Sequence, residues 1–211
     1  MKTTEPQTGE YWKTRPLNDA DRDWKYGEGD WVKDYWASRN HPHRKHMLEA
    51  IKELDPKEVA EVGCNCGPNL SLIHENFPHI DLYGMDASPD AISFGKKMLC
   101  KHVNLVDGDF AYLPWRNNTM DVVIADASLM YAKPDDIEEV VSGLVRVAVK
   151  AVIIVDRCSD ESVVTGAVWA HPYEKILKGM GLKTKIKKFT KEDWPESKNW
   201  QLFGQVIVAT K

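Results

Sequence analysis

The chain has 211 residues, 43% of them hydrophobic and 28% charged, which is enough for one well-packed domain and too few for two ordinary ones. A net charge of −4 provides no basic field for nucleic acid, so no nucleic-acid partner is expected. No apolar run approaches the roughly 20 residues that span a bilayer, and MKTTEPQTGEYW at the N-terminus lacks a signal peptide's apolar core, so the expected location is the cytoplasm.

Residues 1–44 read as an aromatic-rich extension. Tyr11, Trp12, Trp24, Tyr26, Trp31, Tyr35 and Trp36 lie among charges without sustained periodicity. That composition does not suit a disordered tail; a packed lid of short helices or irregular chain is expected. His41, His43 and His46 form an H-x-H-x-x-H run with three readings. They could pack at the surface or between helices, or bind a metal. The third reading has DYWASRNHPHR fold over a pocket, with Arg39 or His43 reaching a carboxylate.

Residues 45–211 are regular. Met47, Leu48, Ile51 and Leu54 make a helical stripe. EVAEVG (58–63) is a short apolar strand. Pro68 suits a first helical turn, with Leu70, Ile73 and Phe77 following on one face. DLYGMD (81–86) is a second strand, after which Ser88 can cap a helix that Pro89 and Asp90 begin. HVNLVDGD (102–109) and DVVIAD (121–126) are the third and fourth strands. A helix over Ile137, Val140, Val141 and Leu144 leads to AVIIVD (151–156), the fifth. Residues 157–169 read as irregular, with a helix at about 170–180. The alternating KTKIKKF and GQVIVAT, joined by a loop, read as a closing antiparallel hairpin.

Alternating β and α elements predict an α/β fold: a doubly wound, seven-stranded, mostly parallel sheet with an antiparallel last strand and helices on both faces. Ligands of such sheets bind beyond the carboxyl ends of the strands. Gly63-x-Asn65-x-Gly67 follows the first strand, Asp86 the second, Asp109 and Phe110 the third, and Asp126, Ala127 and Ser128 the fourth. Glycines allow close backbone approach to a ligand. A carboxylate after the second strand can accept ribose hydroxyls, and one after the third can accept an adenine amine beside the Phe110 ring. A nicotinamide fingerprint needs glycines at 63, 65 and 68, where this chain has Gly63, Asn65 and Pro68. No P-loop lysine follows the turn.

Taken in order, EVGCNCGPNL, YGMDAS, DGDFAYLPW and DVVIADASLMYA resemble the successive motifs of class I S-adenosylmethionine-dependent methyltransferases. The resemblance covers about residues 45–211, and the reversed last strand fits it. It implies S-adenosylmethionine as cofactor and a small-molecule methyl acceptor: a metabolite, sugar or lipid precursor. Glu61, Gly63 and Gly67, with Cys64 and Asn65 in the same turn, would cradle the methionine part. Asp86, with Ala87 and Ser88 beside it, would take the ribose, and Asp109 with Phe110 the adenine. Asp126 and Ala127 would lie beneath the sulfonium, with Trp36 and Arg39 closing over the pocket. The chain departs from the family at Asn65, where a glycine is usual. Candidate bases are His43, Tyr131 and His171. Cys64 and Cys66 lack the second cysteine pair a zinc site would use, so no metal is expected. Cys100 and Cys158 complete a set for which no disulfide is expected. A nicotinamide-type oxidoreductase and a non-catalytic cofactor-binding protein remain alternatives.

Overall fold

The computed structural model describes residues 5–16, 30–99, 101 and 103–211; Trp24, Tyr26, Cys100 and His102 lie outside the described residues. In the N-terminal extension, helix α1 spans Gly9–Thr14 and α2 spans Trp31–Ala37. Asp30 starts α2, its carboxylate accepting the Val32 backbone N–H at 3.1 Å. A 3-10 turn, Ser38–Asn40, leads to α3, Arg44–Leu54.

A repeating strand–helix pattern follows: β1 (Glu58–Val62), α4 (Pro68–Asn76), β2 (Asp81–Asp86), α5 (Pro89–Met98) and β3 (Val103–Asp107). Beyond a long turn come β4 (Met120–Asp126), α6 (Ile137–Val147) and β5 (Ala148–Arg157). The chain then forms β6 (Val163–Thr165), β7 (Val168–Ala170), α7 (Tyr173–Gly179), β8 (Lys183–Lys188), α8 (Lys198–Phe203) and β9 (Gly204–Thr210). The main sheet has seven strands in the order β3-β2-β1-β4-β5-β9-β8. All pairs from β3 to β5 are parallel, and β9 runs antiparallel to both its neighbours, as the sequence predicted.

Strand alternation sorts the side chains into two layers. Ala60, Val62, Val123 and Ala125 face a cluster completed by Ile137, Val140, Val141 and Leu144 of α6 and Tyr173 and Leu177 of α7. Val59, Val122 and Ile124 face the opposite layer, with Met47 and Ile51 of α3, Leu70 and Ile73 of α4, Ile92 of α5 and Trp200 of α8. By that alternation, Glu61 and Asp126, two positions on from Val59 and Ile124, belong to the α3–α4 side at the strand ends. This placement creates the site.

Three expectations are corrected. The closing pair β8–β9 is antiparallel, but α8 stands between the strands: Ser197 caps it, and Trp200 buries against Phe189 and the sheet. Residues 157–169 are not irregular throughout, because Val163–Thr165 and Val168–Ala170 pair as a small hairpin turning at Gly166, φ +76°. The third strand ends at Asp107, which leaves Asp109 and Phe110 in the turn beyond it. Among the described residues no helix is long and apolar enough to cross a membrane.

Candidate cofactor site

The order of strands reverses at β1, whose neighbours are β2 on one side and β4 on the other. A cavity of about 510 Å³ opens over the carboxyl ends of these strands. Its wall begins with the turn after β1. Gly63, Asn65 and Gly67 all adopt positive φ, +75°, +53° and +82°. A Cβ on Gly63 would lie 2.3 Å from the Ser128 Cβ, so the turn is pressed against the loop after β4. Asn65 holds the left-handed conformation that asparagine tolerates best after glycine. Its N–H donates to Asp86 Oδ2 at 2.7 Å, and its own Oδ1 accepts the Cys66 N–H at 2.7 Å. Cys64 and Cys66 are buried free thiols. Burial pushes the Cys66 thiol up to about 12 and the Cys64 thiol well above its ordinary value, so neither is a ready nucleophile.

The floor is a buried polar network centred on Asn69, at the start of α4. The Arg44 guanidinium donates to Asn69 Oδ1. The Asn69 amide donates to Glu61 Oε1 at 2.6 Å and to Asp126 Oδ2 at 2.9 Å. Asp126 Oδ2 also accepts from Arg44 at 3.1 Å and from His43 Nε2 at 3.0 Å. Burial alone would raise the Asp126 carboxyl, but His43, Arg44 and Asn69 hold it well below the usual carboxylate range. Glu61 has only Asn69 as a strong donor, and burial lifts it to about 8. Glu61 Oε2 and Asp126 Oδ1 are buried and have no hydrogen-bond partner among the described residues.

Asp86, Ala87, Gly108 and Phe110 form the opposite end of the cavity. Trp12 of α1 also lines it, edge-on to Tyr131 with ring centroids 5.3 Å apart and to Trp31 at 5.4 Å. Lys13 of α1 pairs with Asp109 at 2.8 Å, tying the extension to the turn after β3. The Gln7 N–H donates to the Ala167 carbonyl at 2.7 Å, so the same segment also touches the small hairpin.

Of the residues expected at the site, His43, Glu61, Gly63, Cys64, Asn65, Asp86, Ala87, Phe110, Asp126, Ala127 and Tyr131 line this one cavity. The others lie apart from its lining. Gly67 sits behind the turn against Leu99, and Ser88 is buried as the α5 cap, accepting from the Ala91 N–H at 3.3 Å. Trp36 packs on Phe94, with Arg39 over its indole. Asp109 is engaged by Lys13 and by the Ala111 N–H. His171 is a packing residue: fully buried, it donates from Nε2 to the Ala132 carbonyl at 3.1 Å and accepts from Ser162 at 2.8 Å. Burial lowers it to about 4. Asn69, Trp194 and Glu196 line the cavity unforeseen, and His41 and Arg44 join them from the DYWASRNHPHR run that one reading folded over a pocket. Asn69 and Arg44 fell within quoted motifs, and spacing from Glu61 gave no sign that they would meet. Among the described residues no group of histidine, cysteine and acidic side chains is arranged to hold a metal.

A doubly wound sheet with a reversed last strand, a positive-φ turn after β1 and carboxylates at the ends of β1, β2 and β4 is the arrangement expected from the resemblance of the sequence motifs to class I S-adenosylmethionine-dependent methyltransferases. The comparisons agree with this. Residues 59–150 match the family described as "Methyltransferase domain". Demethylmenaquinone methyltransferase of Thermotoga maritima is 28% identical over 80 residues, 38% of this chain and 34% of that protein. Trans-aconitate 2-methyltransferase of Yersinia pestis is 26% identical over 111 residues, 52% of this chain and 40% of that protein. The match thus spans less than half the length of either relative. In fold, the chain is similar to the magnesium protoporphyrin IX methyltransferase of Synechocystis PCC 6803, solved with bound S-adenosylhomocysteine. The TM-score is 0.68 at 14% identity, covering 96% of this chain and 97% of that one.

Proposed function

We propose that the chain transfers a methyl group from S-adenosylmethionine to a small-molecule acceptor by direct in-line displacement. The observation that carries the reading is the pair of buried, unpartnered acceptors, Glu61 Oε2 and Asp126 Oδ1, facing a cavity beside a positive-φ turn. Buried acceptors without partners cost free energy; a ligand's ammonium donates the hydrogen bonds they lack, and its sulfonium adds a compensating positive charge beside them. Glu61 would take the ammonium, with the Gly63–Asn65 backbone against the methionine chain. Asp86 would accept the ribose hydroxyls, and the Phe110 ring would bound the adenine. The extension over residues 1–44 would act as a lid through Trp12. When bound, the cofactor supplies an activated methyl group; the protein's part is to align the acceptor with it and keep out water.

A small acceptor is favoured by the modest cavity and the acidic balance of the chain. Relatives named for demethylmenaquinone and trans-aconitate, and a structural neighbour named for magnesium protoporphyrin IX, are in keeping with it. The test is calorimetric titration of the wild type, Asp86→Ala and Asp86→Asn with S-adenosylmethionine, S-adenosylhomocysteine and NAD. We expect the wild type to bind both sulfur nucleosides and not NAD. Each variant should bind them about ten- to a hundredfold more weakly, the worth of a charge-assisted hydrogen bond. Wild type that ignores both, or variants that bind equally well, would refute this reading; preference for NAD would favour an oxidoreductase.

A further inference from the structure

A line of hydrogen bonds runs along the cavity wall from Asp126 and ends at the half-exposed side chain of Glu196. His43 Nε2 lies 3.0 Å from Asp126 Oδ2, His43 Nδ1 lies 2.6 Å from His41 Nδ1, and His41 Nε2 lies 3.2 Å from Glu196 Oε2. Trp194 holds both rings, with centroids 4.4 Å from His43 and 4.5 Å from His41. The side chains of Asp126, His43 and His41 are 4%, 4% and 6% exposed, whereas that of Glu196 is 36% exposed. The line therefore starts inside and finishes in water.

Counting protons shows what it can do. Ionised carboxylates only accept hydrogen bonds, and a neutral imidazole carries one N–H. Three gaps separate Asp126 from Glu196, and two neutral rings fill two of them. The unfilled gap can stand at any of the three positions, and a third proton fills it by making one ring an imidazolium. Shifting one proton across each gap moves a net proton from one carboxylate to the other.

We propose that His43 and His41 form a proton relay carrying the acceptor's proton from Asp126 to solvent at Glu196. The proposal rests on the methyl-transfer reading and adds the acceptor's class: a nucleophile X–H, with X oxygen or nitrogen, that must lose its proton when methylated. The balance is one sulfonium and one X–H in, and one thioether, one X–CH₃ and one H⁺ out. That proton passes to the Asp126 carboxylate and on to His43 Nε2. His43 Nδ1 releases its own to His41 Nδ1, His41 Nε2 releases one to Glu196, and Glu196 exchanges with water. Arg44 and Asn69 keep Asp126 ionised at rest, so it passes a proton on instead of retaining it. Burial favours the neutral form of both rings, against the pull of Asp126 on His43 and of Glu196 on His41. The other charged groups nearby are separated from the pair. Glu61 is reached through Asn69, and the His46–Asp193 pair, which Lys45 and Lys187 also contact, lies beyond Phe189.

The experiment is ¹⁵N NMR of the full chain with labelled histidine, saturated with S-adenosylhomocysteine, for wild type, Glu196→Gln and His41→Gln. Glu196 is at the surface, so its variant keeps the fold. We expect the imidazole nitrogens of His41 and His43 to titrate in one coupled transition in the wild type. Glu196→Gln should lower its midpoint by about one pH unit at both rings, the effect of removing a neighbouring anion, and His41→Gln should abolish the transition at His43. Independent titration of the two rings, or a Glu196→Gln effect confined to His41, overturns the relay. Calorimetry on the same samples separates the two proposals: a wild type that fails to bind S-adenosylhomocysteine sinks the cofactor reading, while the titrations, repeated without ligand, still judge the relay.

Discussion

The Asn65 N–H donates to Asp86 Oδ2 at 2.7 Å, so the turn after β1 and the carboxylate after β2 are built as one unit. The left-handed backbone of Asn65 aims that N–H, and its side chain caps the Cys66 N–H. Replacing Asn65 by alanine forces an ordinary side chain into the left-handed region, at about 1–2 kcal/mol, and removes the cap. Asn65→Gly keeps the conformation and loses only the cap. Thermal unfolding should place Asn65→Ala roughly 3–6 °C below wild type, with Asn65→Gly between the two. Equal melting points for the two variants would mean that backbone conformation is not what Asn65 supplies.

Ala127 makes the converse case. It holds φ +52° immediately after Asp126, with no side-chain polar group to favour that conformation. Glycine there relieves about 1–2 kcal/mol of left-handed strain and costs about 0.5–1 kcal/mol in unfolded-state entropy. Ala127→Gly should therefore stabilise the protein by up to about 1.5 kcal/mol in urea unfolding. A destabilised variant would show that the Ala127 methyl, which lines the cavity, contributes more by packing than the strain costs.

Asp156 gives a pH signature. It is fully buried at the end of β5, accepting the Arg157 and Met130 N–H groups, and burial raises its carboxyl from 3.8 to about 7. Between those values the folded chain holds a proton the unfolded chain has lost. Its contribution is complete below the unfolded value and declines as pH rises through the folded one. Asparagine does not titrate, so the stability of Asp156→Asn relative to wild type should improve by about 3 kcal/mol from about pH 5 to pH 8. A difference independent of pH would show that Asp156 is ionised in the folded protein throughout.

Trp12 tests the lid. Its ring meets Tyr131, Trp31 and Tyr35 edge-on and lines the cavity. Losing such contacts is worth about 0.5–1.5 kcal/mol, and changes of this kind fall mainly on dissociation. Trp12→Ala should release S-adenosylhomocysteine about tenfold faster in stopped-flow displacement, with association little changed. An unaltered release rate would leave the extension as packing alone.

The sheet was legible because its strands are short apolar runs at regular spacing, and the turns between them carry residues whose backbone demands are local. Gly63, Asn65 and Asp86 could be found in this way. The network was not legible, because it depends on where α3 lands. Of Arg39 and His43, read as alternatives for reaching a carboxylate, His43 does so at Asp126, joined by its neighbour Arg44, whereas Arg39 turns to Trp36. Pairings such as His41 with Glu196, 155 positions apart, leave no local pattern. The small hairpin was missed because three-residue strands are too short to show alternation, and α8 because six residues among polar neighbours show no stripe.

Glu61 is 1% exposed, and its carboxyl keeps its proton up to about pH 8 in the protein alone. An ammonium set against it would favour the ionised form, so filling the cavity and emptying Glu61 of its proton become a single equilibrium. Below about pH 8 each bound cofactor should then displace close to one proton into the buffer. Affinity should climb with pH by as much as tenfold per unit before levelling off. Calorimetric heats measured in buffers of different ionisation enthalpy would count that proton, and Glu61→Gln should release none.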